Sequence, residues 1–143
     1  ESSAELVIPS QVRLVDLVHC AAEKMADIAG FAAEQGLDIG LAVREAAINA
    51  IVHGNRQDPK LKVDVTFTAN HVGLTAKVRD RGVGFDPART PDPTDHANLL
   101  STSGRGLLLM RAFVDEVEIR AQRPGTEIRL IKRSKRNNGG AKT

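Results

Sequence analysis

Residues 61–68, LKVDVTFT, alternate apolar and polar side chains without a break. Leu61, Val63, Val65 and Phe67 fall on one face, and Lys62, Asp64, Thr66 and Thr68 on the other. Period-two alternation marks a half-buried strand. Ala69-Asn70-His71 supplies a turn, beyond which Val72, Leu74, Ala76 and Val78 alternate again. Two such runs joined by so short a turn read as an antiparallel hairpin.

The same reading extends in both directions. Upstream, AELVI at 4–8 ends at Pro9, as an edge strand would. Ser10 is placed to cap a helix predicted from 11 to about 34, along which Val12, Leu14, Val15, Leu17, Val18, Ala21, Ala22, Met25, Ile28 and Ala29 keep helical spacing, with Gly36 closing it. Asp38 is then expected to cap a second helix, 39–53, that stops at Gly54. Downstream, residues 81–106 are rich in Gly and Pro and lack an apolar period, which predicts a long loop of the functional or mobile kind. A third helix is predicted at about 106–115. VEIRAQ and TEIRLIKR then form a second hairpin around Arg123-Pro124-Gly125. Helices gathered on one face of a mainly antiparallel sheet, an α+β arrangement, is the natural packing of these elements.

Composition sets the outer bounds. The chain has 143 residues, 41% hydrophobic and 27% charged, which suits one soluble domain without internal repeats. Four Phe stand without Tyr or Trp, which disfavours a single-strand nucleic-acid binder that stacks bases on aromatic rings. The formal charge is +2 and the pI about 9.0, yet residues 129–143 hold six Lys and Arg and no acid. The remainder of the chain is acidic, so the basicity belongs to an end expected to be solvated, and residues 134–143 are read as a disordered basic tail. Cys20 is the only cysteine, which rules out an intramolecular disulfide; its setting, LVHCAAEKM, predicts a small buried side chain. No Cys and His cluster has zinc spacing, no apolar run is long enough to span a bilayer, and no signal peptide appears. A cytoplasmic protein is expected.

Four features resist a purely structural reading. The second helix, LAVREAAINAIVHG, is almost wholly apolar except for Glu45, Asn49 and His53, spaced four apart along one stripe. Such groups either face solvent or face a polar cavity. A carboxylate can take a proton, and an Asn oxygen can ligate a hard cation such as Mg²⁺. The strand that follows ends D80-R-G82-V-G84, where glycines admit close backbone approach and the Asp can accept from an exocyclic amine; a plain turn is the other reading. Gly104-Arg105-Gly106-Leu107 stands at the start of the third helix, either as a simple cap or as an anion site with free N–H groups and a guanidinium. Gly125-Thr126 opens the last strand, where Thr either serves β-structure or supports the Asp through its hydroxyl or a water. Neither GxxxxGK[ST] nor GxGxxG occurs, so P-loop and Rossmann readings fail.

In combination and in this order, the four features resemble the N, G1 and G2 boxes of the GHKL ATPase superfamily, over about residues 5–133. EAAINAIVHGN, VRDRGVGFDP, GRGLLLMRAFVDEVE and GTEIRLIKR resemble, more narrowly, the anti-sigma-factor serine kinases of the sporulation and general-stress type. The resemblance implies a Bergerat fold, a two-layer α/β sandwich with a mainly antiparallel mixed sheet, at residues 1–133. It implies Glu45 as general base for a partner's Ser or Thr hydroxyl and Asn49 as the Mg²⁺ ligand. Asp80 would bind the adenine amine, with Gly82 and Gly84 shaping the pocket and Thr126 backing Asp80. Residues 95–107 would form an ATP lid, with Gly104, Arg105, Gly106 and Leu107 near the phosphates. It further implies a homodimer whose partner is a STAS-domain anti-sigma antagonist or a sigma factor, with no direct nucleic-acid or membrane contact. No phosphoacceptor-His helix precedes the Glu45 helix, so an autokinase is not expected. An ATP-binding switch without kinase activity stays open beside the kinase.

Overall fold

The structure, a computed structural model, describes residues 1–82 and 105–134. Strand β1 spans Ser2–Pro9, followed by a 3₁₀ turn at Val12–Leu14 and helix α1 at Val15–Ile28. Helix α2 spans Ala33–Ile48 and runs on into a π-helical turn, Asn49–Gly54. The first hairpin is β2 (Lys62–Asn70) and β3 (Gly73–Arg79). Helix α3 (Gly106–Phe113) precedes the second, β4 (Glu116–Ala121) and β5 (Thr126–Arg133).

The strands form one sheet in the order β1-β2-β3-β5-β4, with every pairing antiparallel, so the expected sheet lies at its antiparallel limit. Val65 faces Leu6 on one side and Val78 on the other, and Val78 faces Ile128. That register puts the apolar members of each strand in one row, since a one-residue slip would turn them all outward. Val63, Val65, Phe67, Ala76, Val78, Ile128 and Leu130 pack with Val18, Ala22, Val43, Ala46, Ala47 and Ile51 of the helices in one core. The opposite face is polar: Glu5, Asp64, Thr66, Lys77, Arg79 and Glu127 line a shallow hollow on it. Helices therefore cover one face, as the patterning of β2 requires.

Several expectations change at the helices. α1 ends at Ile28, with Gly30 at φ +94° beyond it, and Gly36 lies inside α2. The second helix begins at Ala33, whose turn is supported by Gln35 Oε1 accepting the Ala32 N–H at 3.1 Å, so Asp38 caps nothing. Ser10 is no helix cap either; its hydroxyl donates to Leu61 O at 2.6 Å, across the β1–α1 corner. Cys20, expected to be buried, is exposed. Of the basic tail, Ser134 alone is described, and its N–H donates to Val72 O at 2.8 Å. Among the described residues, no helix is long and apolar enough to cross a membrane.

Candidate functional site

Asn49 ends the regular part of α2, its N–H still bonded to the Glu45 carbonyl. Beyond it the helix widens: Asn55 N–H reaches Ala50 O at 2.8 Å, a step of five residues. Such widened turns recur at functional sites because they re-aim side chains without ending the helix. Asn49 is 3% exposed, yet among the described residues neither its Oδ1 nor its Nδ2 has a hydrogen-bond partner, and His53 Nε2, one turn on, is also buried without one. A buried polar atom without a partner costs about 1–3 kcal/mol. Three such atoms gather at Asn49 and His53, where the helix widens. The solvent-facing reading of this stripe is thus excluded at Asn49. Glu45 is half-buried on the same stripe, and its carboxylate makes no hydrogen bond or ion pair among the described residues.

The second centre is Asp80, 5% exposed where the chain leaves β3. Its Oδ1 accepts from Gly82 N–H and from Thr126 N–H, each at 3.2 Å, while its own N–H donates to Thr126 O at 3.0 Å. Oδ2 takes no hydrogen bond among the described residues. Burial pushes the carboxyl up from 3.8 to about 6; the Gly82 and Thr126 amides and Arg79 pull the other way and do not cancel it. Thr126 therefore backs Asp80 through its main chain.

Glycines close around this carboxylate because nothing larger fits. A Cβ on Gly54 would stand 2.2 Å from Asp80 Oδ2, one on Gly82 would stand 1.7 Å from Gly54 O, and one on Gly125 would stand 2.0 Å from Asp80 O. Gly125 also has φ +98°, a conformation that L side chains rarely adopt. Gly82→Ala and Gly125→Ala are each expected to lower stability by at least about 1–3 kcal/mol, read as a drop in urea midpoint at unchanged m-value; a wild-type midpoint in either would contradict this packing.

Residues 105–107 are described as the entry to α3: Arg105 is exposed, Gly106 is buried at the first helical position and Leu107 is half-buried. α3 packs against α2. Gly84, Gly104 and the lid residues 95–104 lie outside the described residues. Sequence reasoning assigned no site role to Gly54, Asn55 or Gly125, although Gly125 stood out beside Thr126; all three pack against Asp80 or hold the turn it sits in. Gly54 had been read as a helix end, and Asn55 sits in the polar run HGNRQDPK, which carries no periodic signal.

A model of the histidine kinase-like ATPase domain matches residues 8–132. The chain belongs to that family. Among curated relatives of this ATPase-family chain, the serine-protein kinase RsbW of Bacillus subtilis (strain 168) is 29% identical over 121 residues, covering 80% of this chain and 76% of that protein. The anti-sigma F factor of Bacillus velezensis is 39% identical over 101 residues, 66% of this chain and 67% of that one. The fold matches the RsbU and RsbW domains of Rv1364c from Mycobacterium tuberculosis with a TM-score of 0.64 at 19% identity, covering 93% of this chain and 33% of that chain. The α+β expectation and the family resemblance both hold.

Proposed function

We propose that this ATPase-family chain is an ATP-dependent serine/threonine kinase that acts as an anti-sigma factor and phosphorylates a STAS-type antagonist. The observation that carries the reading is Asn49: a deeply buried amide whose two polar atoms, like the half-buried Glu45 carboxylate one turn away, have no partner among the described residues. A helix core tolerates that arrangement when a ligand completes it. The relatives named as serine kinase and anti-sigma factor support the choice of reaction.

The donor set fits Mg-ATP. Asn49 Oδ1 suits a hard cation, Asp80 Oδ2 suits the adenine amine, and Gly106 with Arg105 suits phosphate oxygens. Gly82, Gly84, Gly104, Leu107 and Thr126 complete the proposed contacts. Mg²⁺, when bound, supplies neutralisation of phosphate charge. The rest falls to the chain. Asp80 orients the base, Asn49 fixes the phosphate end relative to it, and Glu45 takes the proton of the incoming hydroxyl. A homodimer that binds a sigma factor and an antagonist in turn, in the cytoplasm, completes the proposal. The test is γ-phosphate transfer to the organism's STAS-domain proteins. Labelling of one Ser or Thr supports the kinase, and ATP binding without labelling of any of them favours the nucleotide switch.

The proposal also fixes a pH dependence. Asp80 must be ionised to accept well from the amine, and its carboxyl titrates at about 6. ATP affinity is therefore expected to rise with pH from 5 to 7 and then level. With no Trp or Tyr in the chain, calorimetry or a labelled nucleotide is the way to follow it. Flat affinity across that window would remove Asp80 from the base site.

A further inference from the structure

Behind Asp80 lies a hydrogen-bond network centred on a residue that the proposed chemistry does not use. Asn55 is 1% exposed. Its Oδ1 accepts from Arg81 N–H at 2.8 Å. Its Nδ2 donates to Ser10 Oγ at 2.8 Å and Lys62 O at 3.1 Å, with Leu61 O at 3.3 Å sharing one of the two hydrogens. Ser10 passes the chain of bonds on to Leu61 O. One buried amide therefore ties the end of the π-helical turn to the β1–α1 corner, the start of β2 and the exit of β3.

The bond to Arg81 matters most, because Arg81 N–H belongs to the peptide that joins Asp80 to Arg81. The carbonyl of that peptide lies against Gly125, where a Cβ would stand 2.0 Å away. Its N–H is held by Asn55, so the peptide plane is clamped on both edges. The plane directs the next residue, Gly82, whose N–H bonds Asp80 Oδ1. With Oδ1 so occupied, Oδ2 is the oxygen left for a ligand. We infer that Asn55 is a positioning residue for base recognition: by holding the Asp80–Arg81 peptide it sets which carboxylate oxygen faces the base. This rests on the reading of Asp80 as the acceptor for a 6-amino purine.

The experiment compares ATP with purine riboside triphosphate, which lacks the 6-amino group, by calorimetry on the full chain and on Asp80→Asn, Asn55→Ala and Asn55→Asp. The wild-type chain is expected to prefer ATP by about ten-fold or more, as a buried hydrogen bond to a charged acceptor would give. Asn55→Ala is expected to cut that preference to about two-fold. Asn55→Asp keeps an acceptor for Arg81 and is expected to keep the preference, although its buried carboxylate lowers the melting temperature. Equal weakening toward both nucleotides in Asn55→Ala, with the preference intact, would overturn the inference, since that is what a structural role alone gives. Loss of preference in Asn55→Asp in step with its stability would do the same. If Asp80→Asn keeps the preference, the base-site reading fails first, independently of Asn55. If Asn55→Ala does not fold, amide exchange on the unaltered, nucleotide-free chain decides. Arg81 N–H is expected to exchange at least about 100-fold slower than an open amide, and exchange at the open rate overturns the clamp.

Discussion

Asp80→Asn is expected to melt higher than the wild-type chain at pH 7 and to bind ATP worse. Both effects follow from one placement. Burial raises the carboxyl from 3.8 to about 6, so the ionised side chain is held at a cost in the folded state. Linkage fixes the sign. The stability contributed by a raised carboxyl is fully present below about 3.8 and is lost as pH climbs through about 6, because over that window the folded chain holds a proton that the unfolded chain has released. The cost at pH 7 is roughly 3 kcal/mol. Asparagine avoids it and keeps an Oδ1 for the Gly82 and Thr126 amides. A gain of about 1–3 kcal/mol in the nucleotide-free chain is expected, with the fall in stability between pH 4 and 6 flattened relative to wild type.

Binding moves the other way. With Oδ1 occupied by two N–H donors, the asparagine NH₂ takes the place of Oδ2. It then meets the 6-amino group donor to donor. ATP affinity is expected to drop about ten- to a hundred-fold, and a purine with a 6-oxo group is expected to lose less or gain. Thermal melts with calorimetric titration of ATP and ITP measure both. A variant that is more stable yet binds ATP as well as wild type would show that the buried charge serves something other than the base.

This opposition explains which parts of the molecule were legible in its sequence. Strand alternation answers to burial alone, and the 61–78 hairpin emerged with β2 and β3 within a residue or two of the expected bounds. The boundary between α1 and α2 was misplaced because Gly36 looks like a helix stop. In the fold Gly36 and Gly40 lie inside α2 facing α1: a Cβ on Gly36 would lie 3.6 Å from the Ala26 Cβ, an ordinary contact, and one on Gly40 would lie 2.8 Å from the His19 ring. Gly40 leaves room for His19 of the neighbouring helix, and a local reading of propensity does not contain that helix. Ser10 was misread for the same reason, since the carbonyl that claims its hydroxyl is 51 positions away. The polar stripe on α2 was visible as a contradiction within an apolar helix. Of the two readings the sequence left open at Asn49, its burial excludes the one in which it faces water. The widened turn after Asn49 has no sequence signature, and the close fit of Gly54, Gly82 and Gly125 around one carboxylate depends on three segments meeting.

Glu45→Ala is expected to leave ATP binding within about two- to three-fold of wild type while phosphate transfer falls by about 10²–10⁴. The separation follows from where the side chain sits. Glu45 is half-buried, its carboxylate bonded to no described residue, and the side chain therefore supports neither the Asp80 cradle nor the core. Its removal leaves Asn49 and the glycine-lined base site intact, so affinity has little reason to change. Its position on the regular part of α2, one turn before the helix widens, places it on a rigid element at a fixed offset from Asn49. A proton acceptor that acts only as the hydroxyl attacks contributes to the transition state and not to the ground state, so the loss belongs in the transfer rate and not in nucleotide affinity. Glu45→Gln sharpens the test, since it preserves size and hydrogen bonding and removes only basicity. Transfer at wild-type rate in Glu45→Gln would remove Glu45 from the chemistry. Equal loss of binding and transfer in both variants would instead make it a ligand contact.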